Sequence, residues 1–325
     1  MVINCPHEFK DSQVCRFLRE LFEQVEEPEV SINFNTLSFA APYGTLLAAM
    51  GIREFVRARR QKNLTTLSQG LKSNSAITYL KHFSFFRFIG LEEGNQPDTG
   101  QGNKRYVPIT TISAEDLDDY DGVVQERIVK KSEQLASIIF GREADVMKAE
   151  MLAYCIREVI RNVFEHSGAE RCVIMAQKWA NGFAEIAIAD EGVGIYNTLS
   201  AVHDIDSVEG ALRLAIQPGI SKETAPDDER NRWQNSGFGL YVISELGRQY
   251  GDFAISSNSV IFHKFNQEEV VEEVPINGTL VKLKIRTDDA EYFPNILQNI
   301  VNEGEKLAKD IVGARTSASK QSRTT

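Results

Sequence analysis

Apolar residues recur at helical spacing in residues 17–27, 45–60, 76–88, 116–140, 147–166 and 292–312, and each stretch is expected to be a helix with one side in a core. The 45–60 stretch ends in arginines, which suit the negative end of a helix. Residues 30–34 alternate like a strand. Residues 171–178 and 183–189 are apolar strands joined at Ala180-Asn181-Gly182, a hairpin signal. Further strands are expected at 106–111, 252–257 and 260–265, and 276–285 reads as a turn followed by clean alternation. Polar punctuation falls between them: a turn-rich link at 35–44, a Gly/Asn/Gln-rich loop at 94–104, a long polar-to-mixed excursion at 196–234, and an acidic loop at 267–273. Residues 314–325 are small, polar and slightly basic, and are expected to be a disordered tail.

This order divides the chain into a small α/β domain over 1–115, a connecting helix over 116–143, a larger domain over 144–312 and a tail over 313–325. The connecting helix suits either a dimer contact or packing on its own domain, and packing is the simpler expectation. A length of 325 residues, with 42% hydrophobic and 25% charged residues, fits about two globular domains. The net charge of −10 argues against a wide basic surface for nucleic acid. Four cysteines without Cys-x-x-Cys spacing fit reduced thiols better than a disulfide framework or a zinc site. With no leader-like N-terminus and no apolar run long enough for a bilayer, a cytoplasmic protein away from membranes is expected.

Chemistry concentrates after residue 144. Glu158, Asn162 and His166 are spaced four apart, which stacks them on one helix face. An Asn among Val159, Ile160 and Val163 needs a partner, and Mg²⁺ is one, since it takes oxygen ligands and keeps waters and phosphates. The strand 183–189 runs into Asp190-Glu191-Gly192-Val193-Gly194-Ile195, where the glycines admit a flat ligand and Asp190 offers an acceptor to an exocyclic amine. Gly237-Phe238-Gly239-Leu240 opens an apolar helix, whose free N–H groups favour phosphate. Alone, each Gly-x-Gly is a common turn or packing device, and Glu158 could be an ion pair with Arg157 or Arg161.

Taken in order, Glu158-x-x-x-Asn162, Asp190-x-Gly192-x-Gly194, Gly237-x-Gly239-Leu240 and Gly278-Thr279 resemble the ATP-binding domain of the GHKL superfamily over 144–286. The Glu-x-x-x-Asn-x-x-x-His-Ser run, with Pro218-Gly-Ile-Ser-Lys222 before the second glycine box, is most similar to bacterial anti-sigma-factor serine kinases. The resemblance implies an α+β two-layer sandwich, the Bergerat fold. It implies that Asn162 holds Mg²⁺, that Asp190 with Thr279 reads adenine through water, and that Gly192, Gly194 and Ile195 line the base pocket. It further implies that Gly237, Phe238, Gly239 and Leu240 receive the phosphates, and that 196–236 is a lid from which Lys222 reaches the terminal phosphate.

A second resemblance covers 30–60, where Ser31-Ile-Asn-Phe-Asn-Thr-Leu-Ser-Phe-Ala-Ala-Pro-Tyr-Gly44 and the helix after it are similar to the centre of STAS domains. Phosphorylated STAS members carry Asp-Ser-Ser-Gly or Asp-Ser-Thr-Gly there. Ala41-Pro42-Tyr43-Gly44 has no serine, so no phosphoserine is expected in that loop.

Glu158 then decides the chemistry, because a carboxylate one turn before the Mg²⁺ ligand can take a proton from an attacking oxygen. An oxygen from a protein partner makes a kinase, and one from water makes an ATPase. Two functions follow: an anti-sigma-like serine/threonine kinase or partner-switching regulator, or an ATP-hydrolysing conformational switch without a protein substrate. ATP, Mg²⁺, a regulatory protein and a second copy of the chain are the partners considered. A nucleotide sensor without turnover is a third option. His166 is read as a structural helix-end residue, and His82, among aromatic neighbours, as a core-edge residue rather than a phosphoacceptor.

Overall fold

The computed structural model describes residues 1–98, 102–103, 105–113, 115, 124–140, 146–221, 237–265, 268–287 and 293–316. The N-terminal half runs β1 (Val2–Asn4), β2 (Glu8–Phe9), α1 (Asp11–Glu23), β3 (Glu29–Asn33), β4 (Phe39–Ala40), α2 (Pro42–Gln61), β5 (Thr65–Gln69), α3 (Ser75–His82) and α4 (Phe85–Phe88). Strands β1, β3 and β5 pair in parallel, in that order. α1 forms because Val14, Cys15, Phe17, Leu18 and Leu21 fall on one buried face. α2 starts at Pro42, whose fixed φ suits a first helical turn. At the other end of α2, fully buried Arg59 donates to the carbonyls of Glu27 and Thr65, both at 2.6 Å, and closes the 24–28 turn. The arginine expected to serve a helix end therefore holds a loop.

The C-terminal half runs β6 (Tyr106–Ser113), α5 (Val124–Phe140), α6 (Val146–Asn162), a π-helical turn (Val163–Ser167), β7 (Arg171–Lys178), β8 (Phe183–Asp190), α7 (Ile195–Leu199), α8 (Val208–Ala215), α9 (Gly239–Tyr250), β9 (Gly251–Ser257), β10 (Val260–Phe265), β11 (Glu268–Glu273), β12 (Thr279–Arg286) and α10 (Phe293–Leu307). Among the described residues, seven of these strands form one sheet in the order β11-β10-β9-β12-β8-β7-β6, with every pairing antiparallel. The molecule thus mixes helices with a parallel sheet in one half and an antiparallel sheet in the other.

Alternation along β7, β8, β9 and β12 sorts side chains to two faces. Ile174, Ile186, Ile188, Phe253, Ile255, Val281 and Leu283 face the core shared with α5, α6, α9 and α10. Val173, Met175, Ala187, Ala189, Ala254 and Leu280 face a second core, built with α1, α2, α3 and α4. Small alanines at 187, 189 and 254 let α2 lie close to the sheet. The sheet is covered on both sides, so the two layers expected for the C-terminal half are joined by the N-terminal half as a further cover.

Several expectations are corrected. Strand 106–113 forms, but it pairs with β7 at the edge of the large sheet instead of joining the N-terminal strands. Residues 268–273, expected as a loop, are the opposite edge strand, where four glutamates leave an exposed edge that discourages pairing with another chain. The 76–88 helix is two short helices, broken where Ser84 takes φ +67°. Strand β5 has no counterpart among the expected elements, because its Thr/Ser/Gln pattern buries little. The excursion after 195 contains α7 and α8. The tail begins docked: Arg315 N–H donates to the Gly219 carbonyl at 2.9 Å. Helix α5 packs on α6 and β6, as the simpler expectation for it had it. All four cysteines are buried, and burial raises each thiol above its usual range. No helix among the described residues is long and apolar enough to cross a membrane.

Candidate functional site

Between α6, the end of β8 and the start of α9 lies a cleft partly open to solvent. Its walls include Asn162 and His166 from α6 and the π-turn, Asp190, Gly194 and Ile195 from the β8 end, and Gly237, Gly239 and Leu240 at the start of α9. Thr279 opens β12 on the same wall. Four segments far apart in the chain thus meet at one place. The meeting follows from topology, since β12 pairs with β8 and sets Thr279 opposite Asp190.

Asp190 is 3% exposed. One carboxylate oxygen accepts the Gly192 N–H at 2.7 Å. Burial pushes its pKa up to about 6, while Gly192, Ser167 and Thr279 pull it back. A carboxylate at the floor of a mostly apolar cleft, with a short polar surround, is suited to accept from a flat donor such as an amino-purine.

Two glycines at this end serve close approach. A Cβ on Gly192 would stand 2.3 Å from the Ser167 carbonyl, and one on Gly194 would stand 2.2 Å from Asn258 Oδ1. The loop after β8 is therefore pressed against the end of α6 and against the β9–β10 turn. Asn258 holds it there, accepting from Tyr196 N–H at 3.0 Å and donating to the Val193 carbonyl at 3.1 Å.

At the other end, Phe238 precedes α9 and its side chain makes no capping hydrogen bond. A Cβ on Gly239 would meet Glu158 Oε2 at 2.6 Å, so the first turn of α9 rides directly on α6. The π-turn continues α6 and brings both His166 and Ser167 to the cleft wall. Such turns within helices are frequent at functional positions.

A scan of family models finds no match to this chain, and a search of curated proteins finds none.

Glu158 is placed differently from the other candidates. It is 3% exposed and absent from the cleft wall, and its Oε1 lies 3.4 Å from Arg157 Nη2 and 3.5 Å from Arg161 Nη1. The carboxylate is neutralised by two guanidinium groups beneath the start of α9. Gly192 and Phe238 also stand behind the wall, with Phe238 fully buried against Tyr241. Lys222 lies outside the described residues, as does the rest of the lid after Ser221. His166 stands on the wall, 3.9 Å from Glu165 Oε2. His82 sits beside Tyr106 and Phe83, at the core edge.

Ser167, Thr198 and Asn258 were not anticipated at the site. Ser167 follows His166 directly and could have been read from the helix end. Asn258 could not, because its only local signature is a tight turn with φ +48°.

For a divalent ion, Asn162 supplies a single amide oxygen. Among the described residues, no group of three or more His, Cys, Asp or Glu is arranged to hold a metal. One protein oxygen fits Mg²⁺ that keeps waters and arrives with phosphates, and does not fit a metal needing a protein cage.

Proposed function

We propose that this chain is an ATP- and Mg²⁺-binding regulatory protein of the GHKL type, acting on a protein partner as an anti-sigma-like serine/threonine kinase or partner switch. The observation carrying this reading is the single cleft that joins buried Asp190 to Asn162 and to the start of α9. In it, Asp190 and Thr279 recognise the base, Gly194 and Ile195 line its pocket, Gly237, Gly239 and Leu240 receive the phosphates, and Asn162 holds the ion that screens them. The bound Mg²⁺ would supply charge neutralisation at the phosphates.

A second reading is an ATP-hydrolysing conformational switch without a protein substrate. Both readings need a general base at the attacking oxygen; Glu158 Oε1 is paired with two arginines behind the cleft wall, while its Oε2 lies against Gly239.

ATP with Mg²⁺ at a hundred times Kd is expected to raise the melting temperature by roughly 5 °C through mass action. Asn162→Ala is expected to abolish the part of the shift that depends on Mg²⁺. An equal shift in that variant removes the ion from Asn162. Labelled ATP, incubated with the protein alone and then with lysate, separates the two readings: label on a polypeptide means kinase, and label released as phosphate by the protein alone means switch.

A further inference from the structure

Helix α2 of the N-terminal half is gripped by the strand that carries Asp190. At its start, the Tyr43 N–H donates to Glu185 Oε1 at 2.9 Å, and Glu185 is 3% exposed in the back face of the sheet. Farther along, Arg53 Nε and Arg57 Nη2 reach the two carboxylate oxygens of Glu191 at 3.0 and 3.3 Å.

The spacings agree. Residues 185 and 191 are six apart, roughly 20 Å of strand, and Tyr43 lies ten and fourteen residues before Arg53 and Arg57, roughly 15–21 Å of helix. So α2 lies along β8, held at both ends.

Arg53 is set in advance for this grip. Its guanidinium stacks 4.7 Å over the Phe88 ring and donates to the Phe88 carbonyl at 2.8 Å. Glu191 in turn stands between Asp190 and Gly192, the residue whose N–H fixes the Asp190 carboxylate. A Cβ on Gly278 would stand 2.0 Å from the Asp190 carbonyl and 2.9 Å from the Glu191 Cα, so the backbone has little room to adjust on that side. Whatever sets the Glu191 backbone sets the acceptor that faces the cleft.

We propose that Glu191 is a positioning residue that, through Arg53 and Arg57, ties the base-recognising carboxylate of Asp190 to the N-terminal half. The inference rests on the nucleotide reading of the cleft. Under it, the N-terminal half is the first reader of nucleotide occupancy, and its own state changes the affinity of the cleft. Coupling between binding events is reciprocal, so each direction is measurable.

The test compares ATP–Mg²⁺ affinity by calorimetry in wild type, Glu191→Arg, the Arg53→Glu/Arg57→Glu double variant and the triple charge-swapped chain. Melting temperature without nucleotide is followed in each. The Glu191→Arg and double variants are expected to bind ATP about fivefold more weakly, the lower end of common coupling strengths. The triple variant is expected to recover most of that loss. In wild type, ATP is expected to slow hydrogen exchange at 53–57, and in the double variant it is not.

If the reversed variants fail to fold, Glu191→Gln, which keeps the shape and loses the charge, is expected to weaken binding in the same direction. Wild-type affinity in Glu191→Arg or in the double variant overturns the inference and leaves the nucleotide reading standing. So does a triple variant with no recovery. A wild-type chain that binds no nucleotide overturns the reading of the cleft and the inference with it.

Discussion

Asp190 carries two opposed demands. Folding places its carboxyl where charge is penalised, which raises its pKa to about 6, while binding a donor needs the charge. Because the folded value lies above the ordinary 3.8, the stability from this group is fully present below that ordinary value and is lost as pH rises through about 6. At pH 7 the charged form costs on the order of 3 kcal/mol.

Asp190→Asn removes that cost, and the variant is expected to melt no lower than wild type at pH 7. Its Oδ1 can still accept from Gly192, leaving an NH₂ towards the cleft, so the thermal shift with ATP is expected to vanish. Loss of folding in the variant would contradict the first expectation, and a retained shift the second. For wild type, ATP binding is expected to weaken between pH 7 and pH 5, as the carboxyl gains a proton. At this scale the sequence was informative where chemistry demands a rare combination. Gly192 and Gly194 were visible because no other residue allows the backbone contacts they make. Ser167 and Asn258 were hidden because they are ordinary polar residues brought in from elsewhere.

Among elements, α2 and β8 do the most to organise the molecule. The α2 start is capped by a side chain from the other half: Glu185, 142 residues away, takes the Tyr43 N–H. Burial raises the Glu185 pKa, while Lys282 and the Tyr43 N–H oppose that rise. Lys282 is held in turn by Asp11 at 2.8 Å and by Asp252. Glu185→Ala strands a buried N–H and leaves Lys282 with one less counter-charge. It is expected to destabilise the protein by about 1–3 kcal/mol, read as a lower denaturation midpoint with the slope unchanged. A midpoint within error of wild type would show that water replaces the cap. Helices with strong periodicity, such as those at 45–60 and 147–166, could be read from the sequence. Edges could not: β11 has the composition of a loop and becomes a strand only because β10 offers it partners.

On the scale of the whole molecule, the long apolar runs 171–178 and 183–189 held more information than their status as strands. A run without polar alternation means a strand covered on both faces. The second cover is the N-terminal half, whose helices close over Val173, Met175, Ala187, Ala189, Ala254, Ile261 and Leu280. This is why strand 106–113 could be placed in the sequence but not assigned to a sheet: pairing across two halves leaves no local mark. A chain starting at residue 102 keeps every cleft residue but bares that apolar face. It is expected to bind a hydrophobic dye and to elute as oligomers in size-exclusion chromatography. A monodisperse monomer from that truncation would mean that the two halves are independent.

The buried cysteines give this architecture a built-in clock. Cys5 and Cys15 lie in the core that the N-terminal half builds on the back of the sheet, and Cys155 and Cys172 lie in the core on its other face. With each sulfur protonated and shielded, an alkylating reagent has nothing to attack until its own core opens. The order in which the four masses appear is therefore the order in which the two cores come apart.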